Sequence, residues 1–277
     1  MRVTWATAGP GWLDGMTLAP LGGTAAAEDT GSRGYQVAVL GDTPYGDDQR
    51  LQFPALVDTI NADPQVRLVL HAGDVKSGST TCDDARFRRP RGAVRHIPGP
   101  VRAHTWGQDW TDCHRVNNGA HNPLERHHVV FATVHVVGSE NSLAPWSGLG
   151  LTTVTPEQQA EFDAREAANL EWIGATFDDA VARDAAGVLL MMQAEPLESV
   201  GFVAVRERIL QRAAEFGQPV LLVHGDEHVY EVEPLYGGVA DLTRLETFGA
   251  TATEWLRLTV DPTSETVFSW TPEGVTP

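Results

Sequence analysis

Val37-Ala38-Val39-Leu40-Gly41-Asp42, answered further on by Val66-Arg67-Leu68-Val69-Leu70-His71-Ala72-Gly73-Asp74, is the pair of runs that decides the fold class. Each is a short apolar stretch that stops at Gly-Asp, and short apolar runs bounded by turn signals read as buried strands. Between them Leu51, Ala55, Leu56 and Ile60 recur at helical spacing over 49–62, and Asp63-Pro64 ends the helix. Strand, helix, strand predicts a parallel pair joined by a right-handed crossover.

The alternation continues outward. Residues 129–137 form another apolar run, ending at Gly138-Ser139-Glu140-Asn141. Thr155-Pro156-Glu157-Gln158 opens a helix, with Thr as cap, Pro at the first position and Gln at the capping-box position. Phe162, Leu170, Ile173, Phe177 and Val181 give that helix an apolar stripe. A strand over 188–192 ends at Gln193, a helix covers 202–216, and a strand over 219–223 runs into His224-Gly225-Asp226-Glu227-His228. From about residue 229 the chain alternates apolar and polar, which reads as antiparallel strands carrying Trp255, Leu256, Leu258, Val260, Val267 and Phe268. Residues 34–277 read as one α/β domain. Residues 1–33 lack the basic start and apolar core of an export signal and read as a disordered leader or the remnant of a signal region.

Of the 277 residues, 42% are hydrophobic, enough for a sizeable core, and no stretch approaches the 18 or so apolar residues of a membrane span. Twenty basic against 37 acidic residues give a formal charge of −17, which opposes a nucleic-acid backbone as partner. The charge fits an acidic solubilising surface, and equally carboxylates that a divalent cation could use. Two cysteines, Cys82 and Cys113, are too few for a disulfide scaffold, and their spacing leaves a single bridge and two free thiols both open.

Five apolar runs deliver a polar group at their carboxyl ends: Asp42, Asp74, Asn141, Gln193 and the His224/His228 cluster. Open α/β sheets bind ligands there. One Gly-Asp is an ordinary turn. Five ends supplying carboxylate, amide and imidazole are a ligand set for a hard or borderline divalent metal. A carboxylate bridging two such ions can clamp a phosphate between them and lower the pKa of a bound water. No Gly-x-Ser-x-Gly elbow is present, which sets a serine hydrolase aside. His71 and His135 sit inside apolar runs and read as structural.

This succession resembles the calcineurin-like metallophosphoesterase superfamily over roughly residues 34–230. Gly41-Asp42-Thr43-Pro44-Tyr45, 71–78, Trp110-Thr111-Asp112-Cys113-His114-Arg115, 137–141, Met192-Gln193-Ala194 and 223–228 look like a bacterial subgroup of it. The resemblance implies an α/β fold of the metallophosphoesterase type, a four-layer α/β/β/α sandwich with mixed sheets. It implies hydrolysis of a small phosphate ester by a metal-activated water, with one or two divalent ions (Mn, Fe or Zn) as cofactor. Carried over by position, it makes Asp42 a ligand of the first metal and Asp74 the bridge. Asn141 becomes a candidate ligand, and His228 matches the last His of a Gly-His-x-His motif. Asp226 stands where that motif has its first His, and Gln193 where a strand-end His is usual. Tyr45 has the spacing from Asp42 of the purple acid phosphatase tyrosine ligand. His224 or His114 would orient or protonate the leaving group, and Lys76 is a further candidate for the substrate phosphate. Pro44, which offers no ligand atom where the family has His, and the weaker ligand Gln193 motivate the alternative. In that reading the chain is a binding protein of the same fold, its metal ligands eroded and its catalysis impaired or absent. The resemblance also implies a Cys82–Cys113 disulfide and an exported or periplasmic protein, cytoplasmic being the alternative.

One stretch departs from all of this. Residues 85–108 hold six arginines, no lysine and no acid. Where the subgroup pattern has Gly-Asp-Asn before Trp-Thr-Asp-Cys-His-Arg, this chain has His104-Thr105-Trp106-Gly107-Gln108-Asp109. Codons for Thr-Pro-Gly-Asp-Asn read one nucleotide out of phase can give His-Thr-Trp-Gly-Gln. The hypothesis is a compensated frameshift over about 87–108, which leaves Gln108 or Asp109 as a poor stand-in for a metal-binding Asn. The coding DNA decides it: if no one-base shift restores Gly-Asp-Asn, the idea fails.

Overall fold

Strands with no polar face are stable only between two covering layers, and the arrangement of this chain follows from that. The computed structural model describes residues 34–74, 124–126 (backbone only), 129–147, 150–250 and 252–274. The leader at 1–33, Cys82, Gln108, Cys113, His114 and the 87–108 stretch lie outside the described residues.

The elements are β1 (Tyr35–Leu40), α1 (Gly46–Ala62), β2 (Val66–His71), β3 (Leu124–Arg126), β4 (Val129–Thr133), α2 (Pro156–Ala182), β5 (Gly187–Met191), α3 (Val203–Phe216), β6 (Val220–His224), β7 (Glu231–Pro234), β8 (Leu242–Glu246), β9 (Glu254–Val260) and β10 (Phe268–Gly274). They form a four-stranded sheet in the order β10-β9-β1-β2 and a six-stranded sheet in the order β3-β4-β5-β6-β8-β7. Both are mixed. β1 and β2 are parallel, with β9 antiparallel to β1 and β10 to β9. β4, β5, β6 and β8 run parallel, with β3 and β7 as antiparallel edges.

The period of two sorts the side chains. Val37, Val39, Leu68 and Leu70 meet Phe131, Leu189, Met191, Leu221 and Val223 between the two sheets. Ala38, Leu40 and Val69 turn the other way, onto Phe53, Leu56, Val57 and Ile60 of α1. Val130, Val188, Leu190, Val220 and Leu222 face Ile173 and Phe177 of α2 and Val205 and Ile209 of α3. The chain is therefore α/β, with two mixed sheets and helices packed against them, as the alternation of strands and helices predicts. Thr155 caps α2 as expected, its Oγ1 accepting the Gln158 N–H at 3.2 Å. The Gln158 side chain does not reach back to the cap but donates to the carbonyls of Ser142 and Ala144.

One expectation about the tail is corrected. β7, β9 and β10 are antiparallel, but β8 is parallel to β6. The chain leaves β7, turns through Leu235, Gly237 and Gly238 at positive φ, and buries Tyr236 against the helical layer. That detour lets β8 slot between β6 and β7. Among the described residues no helix is long and apolar enough to cross a membrane.

Candidate metal centre

The parallel strands deliver their carboxyl ends to one place, and the backbone there is unusual. Asp42 (φ 47°), Asp74 (51°), Asn141 (50°), Asp226 (97°) and His228 (63°) all adopt left-handed conformations. For residues carrying a Cβ this costs roughly 1–2 kcal/mol each. Such strain persists only where the surroundings over-determine it, and it gathers at functional sites.

The surroundings are on hand. The Asp42 N–H donates to Gly73 O at 2.9 Å, locking the ends of β1 and β2 together. His71 Nδ1 accepts the Gly73 N–H at 3.0 Å, so Nε2–H donates to Thr43 O at 2.9 Å. Burial pushes the His71 pKa down to about 4, keeping the ring in that neutral, bridging form. His71 is thus structural, as its place in an apolar run implies. From the other sheet Gly225 approaches so closely that a Cβ there would lie 1.6 Å from Asp42 Oδ2. The next residue, Asp226, donates its N–H to that oxygen at 3.1 Å.

Asp42, Asp74 and His228 each offer a ligand atom, all within 4.8 Å of one another. Asp42 is fully buried and Asp74 nearly so. His228 Nε2 lies 3.7 Å from Asp42 Oδ1. Burial, reinforced by the charge of Asp74, pushes the Asp42 carboxyl well above the usual carboxylate range. Burial holds His228 below the usual imidazole range. The electrostatic strain is that of two carboxylates facing each other out of water beside a neutral imidazole. A divalent cation relieves it, and the donor set of two oxygens and one nitrogen suits one. The residues present therefore fit a metal.

Tyr45 reaches the same point: its hydroxyl donates to Asp74 Oδ2, and its ring stands edge-on to His228 with centroids 4.9 Å apart. Burial, then Asp74, holds the phenol protonated far above its ordinary pKa. Gln193 lies alongside, and its orientation follows from its partners. Oε1 accepts the Gly138 N–H at 2.9 Å, while Nε2 donates to Asp42 Oδ1 at 3.4 Å and Asp226 Oδ1 at 3.2 Å. Gln193 thus turns its amide hydrogens, not its oxygen, to the carboxylates. Asp226 is held by that contact, and burial raises its pKa.

Two predicted residues are placed otherwise. Asn141 Oδ1 accepts from the Val137 N–H at 3.3 Å and from Arg165, which also donates to Asn141 O at 2.9 Å. Its oxygen thus secures the left-handed turn at Gly138–Asn141. His224, expected to orient or protonate a leaving group, is fully buried. Nδ1–H donates to Gly225 O at 2.6 Å, and Nε2 accepts from Arg244 at 3.1 Å. Burial drives its pKa to about 3, so at neutral pH it has no proton to give beyond the one it uses.

Sequence reasoning missed two residues that hold the centre. Gln49, in the first turn of α1, accepts the Tyr45 N–H through Oε1 and donates to Gly249 O and Ala252 O, each at 3.0 Å. Glu246 ends β8 and accepts the N–H groups of Glu227 and Val229. The signal for Glu246 was faint: it closes β8, but Thr243 and Arg244 interrupt the apolar run that marks the ends of β1 and β2. Reading the tail as antiparallel hid it.

No protein-family profile matches this chain, and no curated protein matches it. Solved structures with a similar course include three of 10% sequence identity each. The first, GAP50, the anchor in the inner membrane complex of Plasmodium, has a TM-score of 0.47 over 88% of this chain and 90% of its own. The second, purple acid phosphatase PPD1 from yellow lupin (Lupinus luteus) seeds, has a TM-score of 0.46 over 87% of this chain and 54% of its own. The third, calcineurin-like phosphoesterase YfkN from Bacillus subtilis, has a TM-score of 0.39 over 87% of this chain and 91% of its own.

Proposed function

We propose that this chain is a metal-dependent hydrolase of small phosphoric esters. The observation that carries the reading is the convergence of Asp42, Asp74 and His228 within 4.8 Å, two of them buried carboxylates. Those three residues would hold the ion. A bound divalent cation supplies charge neutralisation for a phosphate and lowers the pKa of a water, the source of an attacking hydroxide at neutral pH.

The chain's own residues do the rest. Gln193 and the Asp226 N–H fix both oxygens of Asp42, so its carboxylate cannot rotate away from Asp74. Tyr45 keeps its proton at Oη and orients Asp74 through it. The Tyr45 ring packs against the His228 imidazole, and burial keeps that imidazole neutral, the state in which nitrogen can bind a cation.

The test is hydrolysis of aryl phosphate mono- and diesters by metal-stripped protein with Mn²⁺, Fe²⁺ or Zn²⁺ added back. The expected result is metal-dependent turnover that Asp74→Asn removes. Folded protein that binds metal yet turns over neither ester with any ion would point instead to the binding protein with eroded ligands, to which the orientation of Gln193 lends support.

A further inference from the structure

His228 sits in a short segment between β6 and β7 whose neighbours, Glu227 and Val229, are exposed and bring no apolar anchor of their own. The segment is nevertheless fixed. β6 and β8 pair so that His224 lies opposite Glu246, and the Thr247 N–H donates to His224 O at 2.8 Å. From that end of β8 the Glu246 side chain, 2% exposed, turns under the segment. Its Oε1 accepts the N–H of Glu227 at 3.0 Å and of Val229 at 3.4 Å, the main-chain donors of the residues before and after His228. The other oxygen stands 3.9 Å from Arg244, beyond hydrogen-bond reach. Arg244 spends its guanidinium on Glu195, Glu231 and Glu233 at 2.6–3.0 Å. Three residues past Glu246, Gly249 backs the imidazole: a Cβ there would lie 2.5 Å from His228 Cδ2.

We infer that Glu246 is a positioning residue for the candidate metal centre, its carboxylate holding the main chain on both sides of His228 and so setting the imidazole against Asp42 and Asp74. The inference rests on the metal-binding reading above. It follows from a mechanical fact: a residue at φ 63° points its side chain where the main chain around it sends it, and the N–H of the preceding residue and the N–H of the peptide that leaves His228 end on one buried oxygen. Groups that orient a metal ligand typically change metal affinity about 10–100-fold when removed. Glu246 does so through the ligand's backbone rather than through its ring.

The experiment measures metal binding on the full chain. Metal-stripped wild type and the variants Glu246→Ala, Glu246→Asp, Glu246→Gln and His228→Ala are titrated with Mn²⁺ by calorimetry, and the Co²⁺ forms are compared by visible absorption. Circular dichroism and the apo melting temperature establish which variants are folded. Wild type should bind saturably and His228→Ala should not. Glu246→Gln, which keeps an acceptor oxygen in place, should stay within about threefold of wild type with the same Co²⁺ spectrum. Glu246→Ala and Glu246→Asp, which remove or retract that oxygen, should lose about tenfold or more and shift the spectrum. Unchanged Mn²⁺ affinity in folded Glu246→Ala, or in Glu246→Asp where Ala does not fold, overturns the role of Glu246. So does an equal loss in Glu246→Gln and Glu246→Ala. No binding by wild type, or binding that His228→Ala leaves intact, overturns the metal reading itself.

Discussion

Two polar assemblies adjoin the end of the six-stranded sheet, one around Arg244 of β8 and one around Asp42, which follows β1 of the other sheet, and they are built on opposite electrostatic plans. Around Arg244, itself 4% exposed, stand Glu195, Glu231 and Glu233 in ion pairs, with His224 Nε2 accepting one of its hydrogens and the Tyr236 ring 5.7 Å away. Acid there is met by a cation that the chain carries. Around Asp42 the partners among the described residues are the Gln193 amide, the Asp226 N–H and the His228 imidazole, and none of these is a permanent cation. The first assembly is complete as it folds. The second, among the described residues, meets its carboxylates with neutral donors, and a divalent cation would complete it. A cluster of carboxylates is therefore no sign of metal binding by itself; what distinguishes this site is that two buried carboxylates and an imidazole converge within 4.8 Å.

The largest effect expected from this contrast is on turnover. Asp42→Ala or His228→Ala should cost about a thousandfold or more in metal-dependent hydrolysis, several kcal/mol of transition-state stabilisation, and steady-state kinetics at saturating Mn²⁺ checks it. The corresponding wound to the other assembly falls on stability. Arg244→Met removes a buried guanidinium whose partners Glu231 and Glu233 are open to water, so it should destabilise the chain by about 1–2 kcal/mol in urea titrations. Metal should separate the two again. Mn²⁺ at about 100 times its Kd should stabilise wild type by about 2.7 kcal/mol and Asp74→Asn by nothing.

Legibility followed the same division. Asp42, Asp74 and His228 could be read because each closes or follows an apolar strand in chain order, and a strand end is a local signal. The α/β order was legible for the same reason, from runs such as 37–40 and 66–71. The Arg244 assembly was not. It joins the end of β5 to β7 and β8, and the tail's alternation gives no hint that β8 runs parallel to β6. His224 was misassigned because sequence shows its place after an apolar strand but not the buried guanidinium that occupies its Nε2. Asn141 closes a strand as the others do, yet its amide oxygen is claimed by Arg165 from 24 residues further along the chain.

Smaller effects sharpen the comparison. Gly225→Ala would drive a methyl into Asp42 Oδ2 and should cost about 1–3 kcal/mol together with metal affinity, while leaving the Arg244 pairs intact. The smallest concerns Glu246, which burial raises from 4.5 to about 7. Because the folded state then binds the proton more tightly than the unfolded chain, its contribution is fully present below about pH 4.5 and is lost as pH rises through about 7. Metal-free wild type should therefore lose stability relative to Glu246→Gln across that window, by at most about 2 kcal/mol once solvent screening is allowed for, as paired denaturation curves at several pH values would show.

The most direct test is an anomalous difference map from crystals grown with Mn²⁺. The account predicts a peak bonded at about 2.0–2.5 Å to a carboxylate oxygen of Asp42, one of Asp74 and a ring nitrogen of His228. A map with no peak among those three side chains, or with the manganese held only elsewhere, contradicts it.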